Sequence, residues 1–166
     1  MIIISDTSPL TGLLIIGRLS ILKEVYEKVI IPQAVLEELL VLETFGYDLS
    51  EVHESSWIKI STPSNLALIK ELEEELDAGE SAAIALAIET NADHLVIDEK
   101  KGRRIADQYG IKVIGLTGVL IEAKHLGIID AVKPILDKLR QEANFRISDS
   151  FYRTIISRLQ EDDLGQ

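Results

Sequence analysis

Apolar residues fall along this chain in two textures that alternate. The runs at 2–4, 29–31, 95–97 and 113–114 are short, apolar at every position and mostly β-branched. Runs of this kind are too short for buried helices and suit strands covered on both faces. Residues 57–60 predict a fifth strand. Between these runs the apolar spacing turns helical. Pro32 suits the first turn of a helix running to about residue 44. Leu66, Ile69, Leu72 and Leu76 lie three, three and four apart, the stripe of an amphipathic helix. Residues 79–90, rich in Ala, Leu and Ile, predict a buried helix, and helical patterns continue at 100–109, 119–125, 131–141 and 148–159.

Alternation of this kind predicts an α/β fold with three layers, α/β/α, around a mostly parallel sheet of four to five strands. No repeat or low-complexity linker interrupts it, so residues 1–160 are expected to form one domain. Residues 161–166 are expected to be a polar, frayed tail. Residues 46–56 are the weakest stretch and suggest a mobile loop over one edge of the sheet.

Length and composition narrow the function. The 166 residues carry 28 Asp and Glu against 17 Lys and Arg, a formal net charge of −11. That balance excludes a nucleic-acid binder held by bulk positive charge. It does not exclude a nuclease, because an acidic metal site adds negative charge that bound cations offset. There is no cysteine, which removes disulfides, zinc–thiolate sites and thiol nucleophiles and suits a cytoplasmic protein. No apolar run reaches the length of a membrane span, and the opening MIIISDTSPL lacks a basic leader segment. His53, His94 and His125 share no metal-binding spacing. Walker A, GxGxxG and GxSxG motifs are absent.

Candidate chemistry lies at the strand ends. Ligands of open parallel sheets bind outside the carboxyl ends of the strands. Two predicted strands end in an acid there: Ile4-Ser5-Asp6, and Val96-Ile97-Asp98 followed by Glu99. Carboxylates gathered on one edge repel unless a cation or proton lies between them. An all-oxygen set selects hard ions such as Mg²⁺ or Mn²⁺. The alternative is that Asp6 and Asp98 each cap the helix that follows. Glu80 has two readings as well. Asp77 and Glu80 have capping-box spacing, and Glu80 in a first helical turn could also face the strand ends. Glu38 borders the apolar face of its helix. Lys100, Lys101, Arg103 and Arg104 form the densest basic cluster, either a solvated face or a phosphate-binding one.

These segments, taken in order, resemble a known family. The opening Ile2-Ile3-Ile4-Ser5-Asp6-Thr7-Ser8, then Ile31-Pro32 through Glu38, then Asp77-Ala78-Gly79-Glu80, then Leu95 to Arg104 are similar to the PIN-domain fold. They look most like a prokaryotic branch related to the toxin nucleases of toxin–antitoxin pairs. The resemblance runs most specifically from Met1 to about Gly118. It implies an acidic pocket of Asp6, Glu38, Glu80 and Asp98 that holds Mg²⁺ or Mn²⁺ and cuts RNA. Lys100, Lys101, Arg103 and Arg104 would then hold the substrate. An antitoxin partner and a homodimer are also implied. Glu80 stands where many members carry Asp, and Val96 where relatives carry Ser or Thr. Two other readings are a PIN-like binding module without efficient catalysis and a hydrolase of other phosphate esters.

Overall fold

The fold follows from strands so short that both their faces are used. In the computed structural model, which describes residues 1–164, five parallel strands lie in the order β3-β2-β1-β4-β5. They are β1 (Ile3–Ser5), β2 (Val29–Ile31), β3 (Ile58–Ile60), β4 (His94–Val96) and β5 (Val113–Ile114). Successive side chains of a strand face opposite ways. Ile3, Val29, Ile31 and Val96 therefore join one apolar cluster, while Ile4, Leu95 and Ile97 join another on the far face. The predicted α/β/α sandwich is what the chain forms.

The helices are α1 (Thr7–Ile15), α2 (Ser20–Tyr26), α3 (Gln33–Leu40), α4 (Ser50–His53), α5 (Leu66–Leu72), α6 (Ala78–Thr90), α7 (Lys100–Gln108), α8 (Leu116–His125), α9 (Lys133–Glu142) and α10 (Asp149–Arg158). Leu10 and Leu13 of α1, Val35 and Leu39 of α3 and Val119 and Leu120 of α8 fill the first cluster. Ile84 and Leu86 of α6 and Ile105 of α7 fill the second. Ala82 through Ala87 are all buried in α6, so that helix is covered on every side.

Three expectations change. The helix begun by Pro32 does not run unbroken to residue 44: it ends at Leu40 and tightens into a 3₁₀ turn, Val41–Phe45, closed by Gly46 at φ 88°. The stretch 46–56 is not an open loop. It contains α4, and Leu49 and Val52 are buried in the core there. The tail does not begin as a frayed segment. Glu161 is 2% exposed, accepting hydrogen bonds from Val132 N (3.1 Å), Lys133 N (2.7 Å) and Lys124 Nζ (2.6 Å). It closes the amino end of α9 from a distance of nearly thirty residues. The expectation for Gly165 and Gln166 lies outside the described residues. No helix among those described is long and apolar enough to cross a membrane.

One feature of the topology positions the site. β1 is joined to β2 on one side, while the chain crosses over to place β4 on the other. The sheet order therefore reverses between β1 and β4, and a crevice opens at their carboxyl ends.

Candidate active site

Asp6 and Asp98 stand at that crevice. Ser5 pairs with Val96, and the Asp6 N–H donates to the Val96 carbonyl at 2.9 Å, carrying the ladder one residue past the strand. Asp6 takes the capping position of α1, yet its side chain makes no capping hydrogen bond. It is 2% exposed, and its Oδ1 is buried without a partner. Burial pushes its carboxyl up to about 7, with the adjacent Thr7 backbone N–H opposing; the charges of Asp77, Glu38 and Asp98 push further upward.

Asp98 does not cap the helix that follows it either. Glu99 does, accepting from Gly102 N at 3.0 Å. Asp98 instead accepts from Leu116 N, the first residue of α8, at 2.8 Å. Burial holds its carboxyl above the usual range, and the Leu116 N–H and the Arg103 guanidinium oppose that rise.

Glu80 lies on the first turn of α6 and is buried. Asp77 caps the helix by accepting from Glu80 N at 2.8 Å, so the capping half of the sequence reading holds. The Glu80 carboxyl is pushed up to about 8, first by burial and then by Asp77 and Asp6, with Glu99 adding to the repulsion. Glu38 comes from α3. Its Oε1 accepts from Gly79 N at 2.9 Å and its Oε2 accepts from the Thr7 hydroxyl. Glu38 thus ties the amino ends of α1 and α6 together.

The basic cluster divides. Lys101 and Arg104 face Glu75 across the surface at 3.9 and 3.8 Å. Arg103 turns inward, with Nη1 3.5 Å from the Ile97 carbonyl, and lies beside Asp98. Lys100 is exposed and, with Glu99, Lys101 and Arg104, lines a shallow depression.

The four acids are therefore brought to one place, though they are not gathered tightly. Among the described residues, no three Asp, Glu or His side chains are arranged as they would be around an ion. The donor set nonetheless fits a hard divalent cation. It is all carboxylate oxygen, two members are ionised only against burial and mutual repulsion, and one buried oxygen has no protein donor. The sequence pattern does not single out Thr7, Gly79 or Gly115 and gives Asp77 only a capping role, although the charge of Asp77 bears on both Asp6 and Glu80. Thr7, directly after a strand-end Asp, and Gly79, directly before Glu80, were the available signals.

Comparison with known proteins identifies the family and the fold. A family model described as a PIN domain, DUF3368, matches residues 2–161. The chain belongs to this PIN-domain family. Among solved structures it is similar to a PilT N-terminus domain protein from the hyperthermophilic archaeon Sulfolobus solfataricus P2. That likeness has a TM-score of 0.52 and 18% identity, and covers 74% of this chain and 93% of the other. At that identity it shows the fold. No curated protein matches the chain.

Proposed function

We propose that this protein is a Mg²⁺- or Mn²⁺-dependent endoribonuclease, and that it serves as the toxin of a toxin–antitoxin pair in the cytoplasm. Membership in the PIN-domain family supports a nuclease. The observation that carries the metal is Asp6: a buried carboxylate with an orphaned oxygen, set among Glu38, Asp77 and Asp98 where the sheet order reverses. Folding a protein around such a group is costly unless the bound state answers the charge.

Asp6 and Glu80 would hold the ion, with Glu38 and Asp98 completing the set. When bound, the ion supplies Lewis-acid neutralisation of charge on the phosphate and activates water. Asp98, fixed by the Leu116 N–H, orients the attacking water. Lys100, Lys101, Arg103 and Arg104 hold the RNA backbone. Lys101 and Arg104 exchange Glu75 for phosphate oxygens when substrate arrives. An antitoxin would inhibit by lodging an Arg-bearing segment in the acidic crevice.

The test is cleavage of a mixed RNA with Mn²⁺, with EDTA, and with Asp6→Asn. Cleavage only by the Mn²⁺-loaded native protein is expected; EDTA-resistant cleavage or full activity of Asp6→Asn would sink the reading. Turnover of small phosphate esters without RNA cleavage would make it a different phosphoryl hydrolase. Retained binding of a protein partner with no hydrolysis would make it a binding module. A neighbouring short gene for a DNA-binding protein tests the toxin role, and sedimentation tests the homodimer.

A further inference from the structure

Glu38 and Asp98 are seated in the same way by different parts of the fold. Each reaches from its own element to the amino end of a distant helix, where backbone N–H groups lack intrahelical partners. Glu38 accepts from Gly79 N, the second residue of α6; Asp98 accepts from Leu116 N, the first residue of α8, whose capping position is Gly115. In both places the carboxylate lies where a side chain would otherwise stand. A Cβ on Gly79 would sit 2.8 Å from the Glu38 Cδ and Oε1. A Cβ on Gly115 would sit 2.9 Å from Asp98 Oδ1 and 2.5 Å from Arg103 Nη1. A Cβ does not approach other atoms that closely, so a side chain at Gly79 displaces the Glu38 carboxylate, and one at Gly115 displaces the Arg103 guanidinium and the Asp98 carboxylate it lies against.

Other glycines of the chain serve other ends. Gly17, Gly46, Gly110 and Gly127 have positive φ and nothing within 4 Å of an added Cβ, as turns require. Gly12 meets only leucine side chains, nearest at 3.2 Å. Among the described residues, Gly79 and Gly115 are the glycines whose added Cβ would come within 3 Å of another element's carboxylate oxygen.

We infer that Gly79 and Gly115 are positioning residues of the acidic site: each vacates the volume in which the Glu38 or Asp98 carboxylate is seated. This rests on the metal-dependent reading above. Residues that orient metal ligands typically change metal affinity by about ten- to a hundredfold when altered.

The experiment measures Mn²⁺ affinity, from the electron paramagnetic resonance signal of free Mn²⁺, and thermal stability in EDTA. Gly79→Ala, Gly115→Ala, Glu38→Ala and the Gly79→Ala/Glu38→Ala pair are compared, with Gly12→Ala as a packing control. Gly79→Ala and Gly115→Ala should each weaken Mn²⁺ binding about tenfold or more. Gly12→Ala should lose stability and keep its Mn²⁺ affinity. Once Glu38 is truncated the seat is empty, so Gly79→Ala should then cost neither further affinity nor further stability. Additive losses in that pair, or native Mn²⁺ affinity in Gly79→Ala, overturn the inference. If Gly79→Ala alone does not fold, the pair should fold, and its failure to do so also overturns the inference. Native protein that binds no Mn²⁺ refutes the metal reading instead, and the stability comparison still decides whether Gly79 seats Glu38.

Discussion

Replacing Asp6 by Asn should stabilise the metal-free protein and abolish its use of metal. Asn keeps the shape of Asp6 and removes its charge, with an NH2 donor in place of one acceptor oxygen at a site where Oδ1 has no partner. Burial carries the Asp6 carboxyl from its ordinary 3.8 to about 7. A raised folded pKa means that the neutral carboxyl's contribution is complete below pH 3.8 and is lost as pH climbs to about 7. At about 1.36 kcal/mol per pH unit, the ionised form holds the fold back by up to about 4 kcal/mol at pH 8 and by about 2 kcal/mol at pH 5. Asp6→Asn recovers that difference. For a chain of this length the midpoint rises by about 2–4 °C per kcal/mol, so the advantage in EDTA should be about 10 °C at pH 8 and clearly smaller at pH 5. Mn²⁺ at a hundred times its Kd adds about 2.7 kcal/mol to the native protein and should add nothing to the variant. The assay is thermal denaturation followed by circular dichroism at both pH values, with EDTA and with Mn²⁺. A variant less stable than the native protein at pH 8 in EDTA, or an advantage that does not grow with pH, would refute the reasoning.

Glu161→Gln should cost about 2 kcal/mol in urea unfolding: an amide offers one acceptor oxygen where the carboxylate serves Lys124, Val132 N and Lys133 N. A cost under about 0.5 kcal/mol would mean that the carboxylate does not anchor α9. Burial alone would raise the Glu161 carboxyl, but Lys124 and the two backbone N–H groups outweigh it and hold the pKa below the ordinary 4.5. Its contribution is therefore present above pH 4.5 and is lost as pH falls through that lowered value. RNA affinity should depend only modestly on salt. With at most four cations against a single strand, the slope of log K on log salt should be no steeper than about −3, and a steeper slope would point to a basic surface elsewhere.

The layers were legible because their signal is local. The runs at 29–31 and 113–114 name β2 and β5 residue for residue, while β1 and β4 each differ by one position from the apolar runs. Ser5 is a polar residue that the sheet buries completely, so hydrophobic pattern alone ends β1 too early. Stretch 46–56 reads as loop because it holds few apolar residues. Leu49 and Val52 become core only when the rest of the first cluster closes over them.

The acids divide along the same line. In a parallel sheet Asp6 and Asp98 share an edge, because each follows the carboxyl end of a strand. What each carboxylate binds was not legible. Sequence spacing suggests that Asp98 caps its own helix, whereas it caps α8, eighteen residues on, and Glu99 takes the nearer position. Glu38 finds Gly79 across forty-one residues. The net charge of −11 stands at sequence level and excludes binding by bulk charge.

The sequence by itself determined the alternation of strand and helix, the two-faced burial of the sheet and the edge on which the acids stand. Each of these is set by neighbours a few positions apart, through side-chain periods of two and about 3.6 residues. Tertiary structure alone decided which acids keep a free oxygen, which are tied to a helix end, and where a glycine must leave room. Those outcomes depend on burial and on donors brought from distant segments, and no local period encodes them.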